Sequence, residues 1–229
     1  MVALHALADL VLIATKTTRA GEQDAWVEWL APHAAAHDGA LWRLLDPARP
    51  GLPGAGHSHV LHLPGDRTHD HDHAIATARN TDREAEDRQA VVFHHAEIQR
   101  DHWTRAGDGI VVDPPSGEAD VEVSGLIIAH VLSTDPTRID EWDDWYETRH
   151  LPDMMESGAF VAGTRWRRTK PRTGGANHMT IYETAGIGVD EAIQRSAAIM
   201  PGLIADGRKH ECHAGGLTWA LQRAGETGA

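Results

Sequence analysis

Two stretches of this 229-residue chain carry the same rare residues in the same order, and that repetition constrains the fold more than any other feature. Trp26 and Trp29 recur as Trp142 and Trp145 at an offset of 116. Trp42-Arg43…Pro47 recurs as Trp166-Arg167…Pro171 at an offset of 124. His59 answers to His178 at 119, and His95-Ala96 to His213-Ala214 at 118. Small drifts of offset are what loop insertions produce between copies of one structural unit. The chain must therefore suit a fold that can be built twice, each time from roughly 100 residues. Residues 1–104 form the first expected repeat and 126–229 the second. The Pro/Gly/acid-rich stretch 105–125 between them reads as a linker.

Each half reads strand, helix, strand, strand, helix, strand. In the second half, β-branched Leu126–Leu132 is a strand, and Asp135-Pro136-Thr137 opens a helix with Pro in its first turn. Ile139, Trp142, Trp145, Tyr146 and His150 follow at helical spacing on one face. Leu151-Pro152 is expected to end that helix, because the residue before a proline disfavours helical geometry. Strands over 160–168 and 178–183, a helix over 189–208 and a strand over 210–221 complete the half. The first half gives strands at 10–16, 40–45, 57–63 and 90–99, with helices at 22–36 and 67–87. A βαββαβ unit makes a four-stranded antiparallel sheet with both helices on one face. Two such units packed sheet against sheet would cover the remaining apolar faces and enclose a hollow. The expected fold is α+β, two ferredoxin-like βαββαβ repeats.

Composition removes several classes of function. With 21 Lys and Arg against 34 Asp and Glu, the net charge is −13, unsuited to gripping a phosphate backbone. Nucleic acid is excluded as the main partner, and the charge favours a neutral ligand over an anion steered from afar. One cysteine, Cys212, rules out a disulfide framework or a Cys-rich metal module. The apolar run at the start is interrupted by His5 and Asp9 and is too short to span a bilayer, so a cytoplasmic protein without membrane attachment is expected. No dinucleotide, Walker, nucleophile-elbow or zincin motif occurs.

The run Trp142-x-x-Trp145-Tyr146, then His150-Leu151-Pro152, then Gly158-Ala159-Phe160…Arg165-Trp166, resembles the EthD-like branch of the dimeric α/β-barrel superfamily. Members of that branch carry an aromatic pair, an H-x-P, a small residue with an aromatic, and an arginine-bearing strand. The resemblance implies that the two repeats form in one chain the barrel that single-repeat relatives make by dimerising. The first half departs from the pattern, with Trp29-Leu30-Ala31-Pro32-His33 in place of the motif, so the second half is expected to keep the working site. Relatives of this fold include cofactor-free oxygenases, isomerases, cyclases and haem enzymes, so the resemblance leaves the chemistry open.

His150 heads the candidate catalytic residues: at the end of the aromatic helix face it would titrate near neutrality and move protons. Arg165 would hold an anionic oxygen, and Tyr182 or His178 would relay protons. Trp142, Tyr146, Trp166, Arg167, His130 and His213 are the expected substrate-binding residues. Alternation along a strand would put His210 and Cys212 on one face and His213 on the other. His57, His59, His94 and His95 are the first-half histidines that could face the hollow. The tract His69–His73 has metal-like spacing within a very polar helix, where a solvated face is the simpler reading. No metal site or cofactor is expected, although 17 histidines keep a metal- or haem-using enzyme in view. The leading expectation is a cofactor-independent enzyme using histidine acid/base chemistry for isomerisation, dehydration, cyclisation or oxidation of a small, apolar, oxygenated molecule. The alternatives are a metal- or haem-dependent barrel enzyme and a non-catalytic binding protein. Assembly into a homo-oligomer stays open.

Overall fold

A computed structural model of the chain describes residues 4–17, 23–36, 39–45, 58–64, 95–112, 122–173 and 175–224. The expected helix over 67–87, with its His69–His73 tract, lies outside the described residues, as do His57 and His94. Two compact units emerge. One comprises Met1–Trp103 with Arg223–Ala229, the other Thr104–Gln222.

The first unit contains β1 (Asp9–Thr17), α1 (Gln23–Ala36), β2 (Ala40–Leu44), β3 (Ser58–Pro64) and most of β4 (His95–Arg105). Its strand order is β4-β1-β3-β2, with β3 antiparallel to both β1 and β2. Val11 and Ile13 of β1 and Leu41 of β2 bury against Leu30 and Ala34 of α1. This is the sheet order of a ferredoxin-like unit, with α1 packed on one face.

The second unit follows the same plan. β5 (Ile110–Val111) lies within the stretch expected to be a bare linker and pairs with β7. Then come β6 (Gly125–Ser133), α2 (Ile139–Trp145), a π-helical turn (Tyr146–His150), α3 (Leu151–Glu156), β7 (Ala162–Arg168), β8 (His178–Thr184), α4 (Val189–Ala205) and β9 (His213–Arg223). The strand order is β9-β6-β8-β7-β5. The pairing repeats residue by residue. Leu12 faces His62 in the first unit, and Ile128 faces Ile181 in the second. Arg43 faces His59, and Arg167 faces His178. Among the described residues no helix is long and apolar enough to cross a membrane.

Two expectations about the second unit need correction. Leu151-Pro152 does not end the helix; Leu151 is helical (φ −63°, ψ −48°) and α3 continues to Glu156. A π turn makes this tolerable. The Leu151 N–H reaches back five residues to the Tyr146 carbonyl, widening the ladder where the proline ring would otherwise press on a carbonyl and where Pro152 has no N–H to offer. The last strand starts at His213 rather than His210, so His210 and Cys212 belong to the preceding turn and do not alternate on a sheet face. There the Cys212 N–H donates to His210 Nδ1 (3.1 Å).

Pairing assigns the sheet faces of the second unit, because directly opposed residues point the same way. Arg165, Thr180 and Ala129 form one row, and Arg167, His178 and Val131 the next. These rows lie under the helices: Ala129 and Val131 pack with Trp142, Trp145, Tyr146 and Cys212. Trp166, Met179 and His130 form a row on the opposite face. Gly163 lets α3 approach β7, since a Cβ there would stand 2.8 Å from Leu151 Cδ1 and 3.1 Å from Met155 Sδ.

Candidate functional site

The helix-side face of the second unit gathers an unusual density of rings. The π turn places residue i+5 above residue i, so His150 lies over Trp145, stacked at 5.0 Å with 22° between planes. Its edge meets Tyr146 at 4.7 Å, and His213 from the start of β9 sits 5.5 Å away. His213 in turn stacks parallel to Trp142 at 6.2 Å. Tyr146 accepts a hydrogen bond from Thr180 Oγ1 (2.8 Å), which fixes the phenol beneath the cluster.

Beside this cluster is a cavity of about 160 Å³, lined by Trp145, His150, Asp153, Met200, Leu203, Ile204, Arg208, Lys209, His213 and Gly215. A hollow of roughly 150 Å³ takes one benzene-sized molecule. The cavity lies within the second unit, among the π turn, α3, the end of α4 and the start of β9. A wide helical turn and a strand start frame it.

The cavity has an apolar side and a charged end. Met200, Leu203 and Ile204 come from the last turns of α4. Gly207, at φ +67°, then reverses the chain: its N–H bonds the Ile204 carbonyl (3.1 Å) and the Arg208 N–H the Leu203 carbonyl (2.9 Å). These two bonds form a Schellman cap. The Arg208 carbonyl also accepts from Trp145 Nε1 (2.9 Å), which fixes the backbone of Arg208 at the rim. The Arg208 guanidinium, 42% exposed, pairs with the Asp153 carboxylate, which is 2% exposed. Burial pushes the Asp153 carboxyl up, and Arg208 pulls it back.

Electrostatics separate the histidines from the role expected for them. Burial above all, then His213 and Arg165, pulls His150 down to about 3. His213 falls to about 4, through burial, then Lys209 and His210. Both rings are neutral throughout the physiological range, so His150 does not titrate near neutrality. A neutral imidazole offers one acceptor and one donor nitrogen. His213 Nδ1 is buried and meets no hydrogen-bond partner.

The other expected site residues divide. His178, drawn down to about 4 chiefly by burial, stands edge-on to Trp142 at 5.0 Å and does not line the cavity. Arg165, 5% exposed, is committed to the helix: it pairs with Asp143 and Glu147, donates to the Asp143 carbonyl (3.1 Å) and covers the Tyr146 ring at 4.7 Å. Its Nη1 and Nη2 groups are thus turned to the helix, and Arg165 is not among the residues lining the cavity. Arg167 grips the second Asp143 oxygen at 2.7 Å. Tyr182 is buried against Phe160 at 4.6 Å, and burial raises its phenol well above the usual value. Trp142 and Tyr146 are fully buried and pack beneath the cluster without lining the cavity. His130 and Trp166 sit on the opposite face: His130 meets Trp219 edge-on at 4.8 Å, and Trp166 Nε1 donates to Thr164 Oγ1 (2.8 Å). Cys212 is core, with the Arg138 guanidinium 3.5 Å from its sulfur.

Sequence reasoning missed Asp153, Arg208 and Lys209. Signals existed in a carboxylate three residues after His150 inside an apolar run, and in a basic pair following Asp206-Gly207 in an acidic chain. Among the described residues no group of three His, Cys, Asp or Glu side chains could hold a metal ion. Nor does the His150 cavity fit a porphyrin. Its volume matches a single ring, and the histidine that would have to reach an iron is stacked flat on Trp145.

No protein-family model and no curated protein matches the sequence. Solved structures do share its fold. A candidate monooxygenase from Fusobacterium nucleatum superposes with a TM-score of 0.55 at 9% identity, covering 96% of this chain and 94% of the other. A chlorite dismutase from Candidatus Nitrospira defluvii gives 0.52 at 11%, over 95% and 92%. An anthrone oxidase-like protein gives 0.51 at 15%, over 97% and 96%. These are ferredoxin-like dimeric α/β-barrel proteins, and this chain has their fold.

Proposed function

We propose that the cavity beside His150 binds a small, mainly apolar, oxygenated molecule and that His150 removes a proton from it without a cofactor. Isomerisation, dehydration, cyclisation and oxidation of an enolisable ring all share that first step. Support comes from one observation above all: a neutral imidazole, stacked on Trp145, opens into a single-ring cavity that His213 also lines. The fold's solved examples include proteins named for oxidative reactions, which accords with a site for enolisable rings.

The base is weak at rest, and its setting accounts for how it can work. At about 3, His150 is always in its proton-accepting form. Once it takes a proton, the enolate left in the cavity lies against the new imidazolium. Unit charges about 4 Å apart in a partly buried site attract by about 4 kcal/mol, or about three pKa units. That brings His150 back into the ordinary imidazole range at the moment the proton moves. Its rigidity then matters, since a stacked ring loses little entropy on meeting the substrate. The duplication of a ferredoxin-like unit, with the working site kept in the second copy, belongs to the same proposal; the register shared by the two units supports it.

The test is deuterium wash-in from D2O at the acidic carbon of phenylacetone. The wild-type protein should accelerate exchange over buffer, and His150→Ala should return it to the buffer rate. An unchanged rate in H150A would remove His150 from the chemistry.

A further inference from the structure

We infer that the molecule taken by the His150 cavity carries an acidic oxygen, a carboxylate or a phenolate, and that Arg208 binds it by exchanging its bond to Asp153 for one to the ligand. This rests on the reading of the cavity given above and deepens it by naming the ligand's charge. Although the chain as a whole carries −13, the rim of this cavity presents two cations side by side, Arg208 and Lys209. Their backbone is fixed by the Gly207 turn and by Trp145, while the Arg208 side chain remains 42% exposed.

The resting partner of Arg208 suits such an exchange. Asp153 is nearly fully buried and burial disfavours its charge, so the pair is held at a desolvation cost that an incoming carboxylate relieves. A ligand anion can accept a forked pair of N–H bonds from the guanidinium. Asp153, released, takes up a proton as its counter-charge leaves. No bond of the ligand changes in this step; one ion pair replaces another. His150 and His213 line the same cavity, and Met200 and Leu203 supply apolar surface for the ring of the ligand. The cavity therefore reads charge at one end and an apolar ring at the other.

Benzoate and its neutral isostere benzamide are the probes, with affinities measured by calorimetry on the full chain. Benzoate should bind the wild type about tenfold tighter than benzamide. Arg208→Gln should abolish that preference and leave benzamide binding in place. Because this variant strands a buried carboxylate, Asp153→Asn is the second arm. It keeps Arg208, removes its competitor and should tighten benzoate several-fold while sparing benzamide. Equal binding of the two probes by the wild type would overturn the acidic-ligand assignment, a benzoate preference that survives R208Q would overturn the Arg208 exchange, and either would leave the cavity reading standing. Failure of both probes to bind would overturn both.

Discussion

Arg165 shows how a residue suited to one task in sequence serves another in the fold. An inward arginine on a strand could hold a substrate oxygen. Here Asp143 and Glu147, one turn apart on the helix above, engage the guanidinium first, and Tyr146 lies beneath it. Its task is to fasten the π turn to β7. Arg165→Met should therefore act on stability rather than on binding. Removing one member of a buried pair costs about 3–5 kcal/mol, and partial exposure of the acids places this case near the lower end. Urea unfolding should show that loss, while any folded fraction should bind benzoate with unchanged affinity. Weakened binding at unchanged stability would restore the substrate-orienting role.

The π turn is the element on which the cavity depends. Without it, His150 would fall four residues beyond Tyr146 on an ordinary helical face. With it, His150 stacks on Trp145 and α3 runs on past Pro152. The segment is held against the sheet where Gly163 leaves room for Leu151 and Met155. Gly163→Ala should cost about 1–3 kcal/mol, because a methyl inserted into close packing displaces its neighbours. It should also loosen His150. Thermal denaturation and probe titration together check this; a variant with unchanged melting and binding would show that the segment tolerates displacement. Aromatic spacing predicted the helix, Asp135 and Pro136 predicted its start, and Asp135 does cap the first turn by accepting from the Thr137 N–H (2.9 Å). The widened turn had no such signal, because it arises from the competition between Pro152 and the packing of Leu151.

Across the whole molecule, the buried histidines link folding to acidity. His150, His178 and His213 have folded values of about 3, about 4 and about 4, against an unfolded value near 6.5. Above about pH 6.5 both states hold these rings neutral and the rings exert no pull. As the pH falls below that, the unfolded chain binds protons that the folded one refuses, so stability drains away down to about pH 4 and levels off near 3. Each pKa unit is worth about 1.4 kcal/mol, so the three rings together make acid a strong destabiliser of the fold. The melting temperature should fall steeply between pH 6.5 and 4.5, and replacing His178 and His213 with Gln should flatten that fall. A melting temperature level across this interval would show that the rings are solvated.

Much of the architecture could be read from the chain alone, because hydrophobic periodicity and turn residues act over short distances. The alternation of strand and helix signals predicted an α+β fold of the ferredoxin-like kind, and the pairings Arg43 with His59 and Arg167 with His178 bring together residues that the doubled pattern singles out. Site residues were only partly legible. His150 and His213 do share a cavity, yet His130 and Trp166 lie across the sheet, and Asp153, Arg208 and Lys209 were overlooked. Local spacing says which residues share a face of their own helix or strand. It is silent on which distant partner a charge will find or how deeply a ring is buried, and these long-range contacts set both the neutrality of His150 and the charge at the cavity rim.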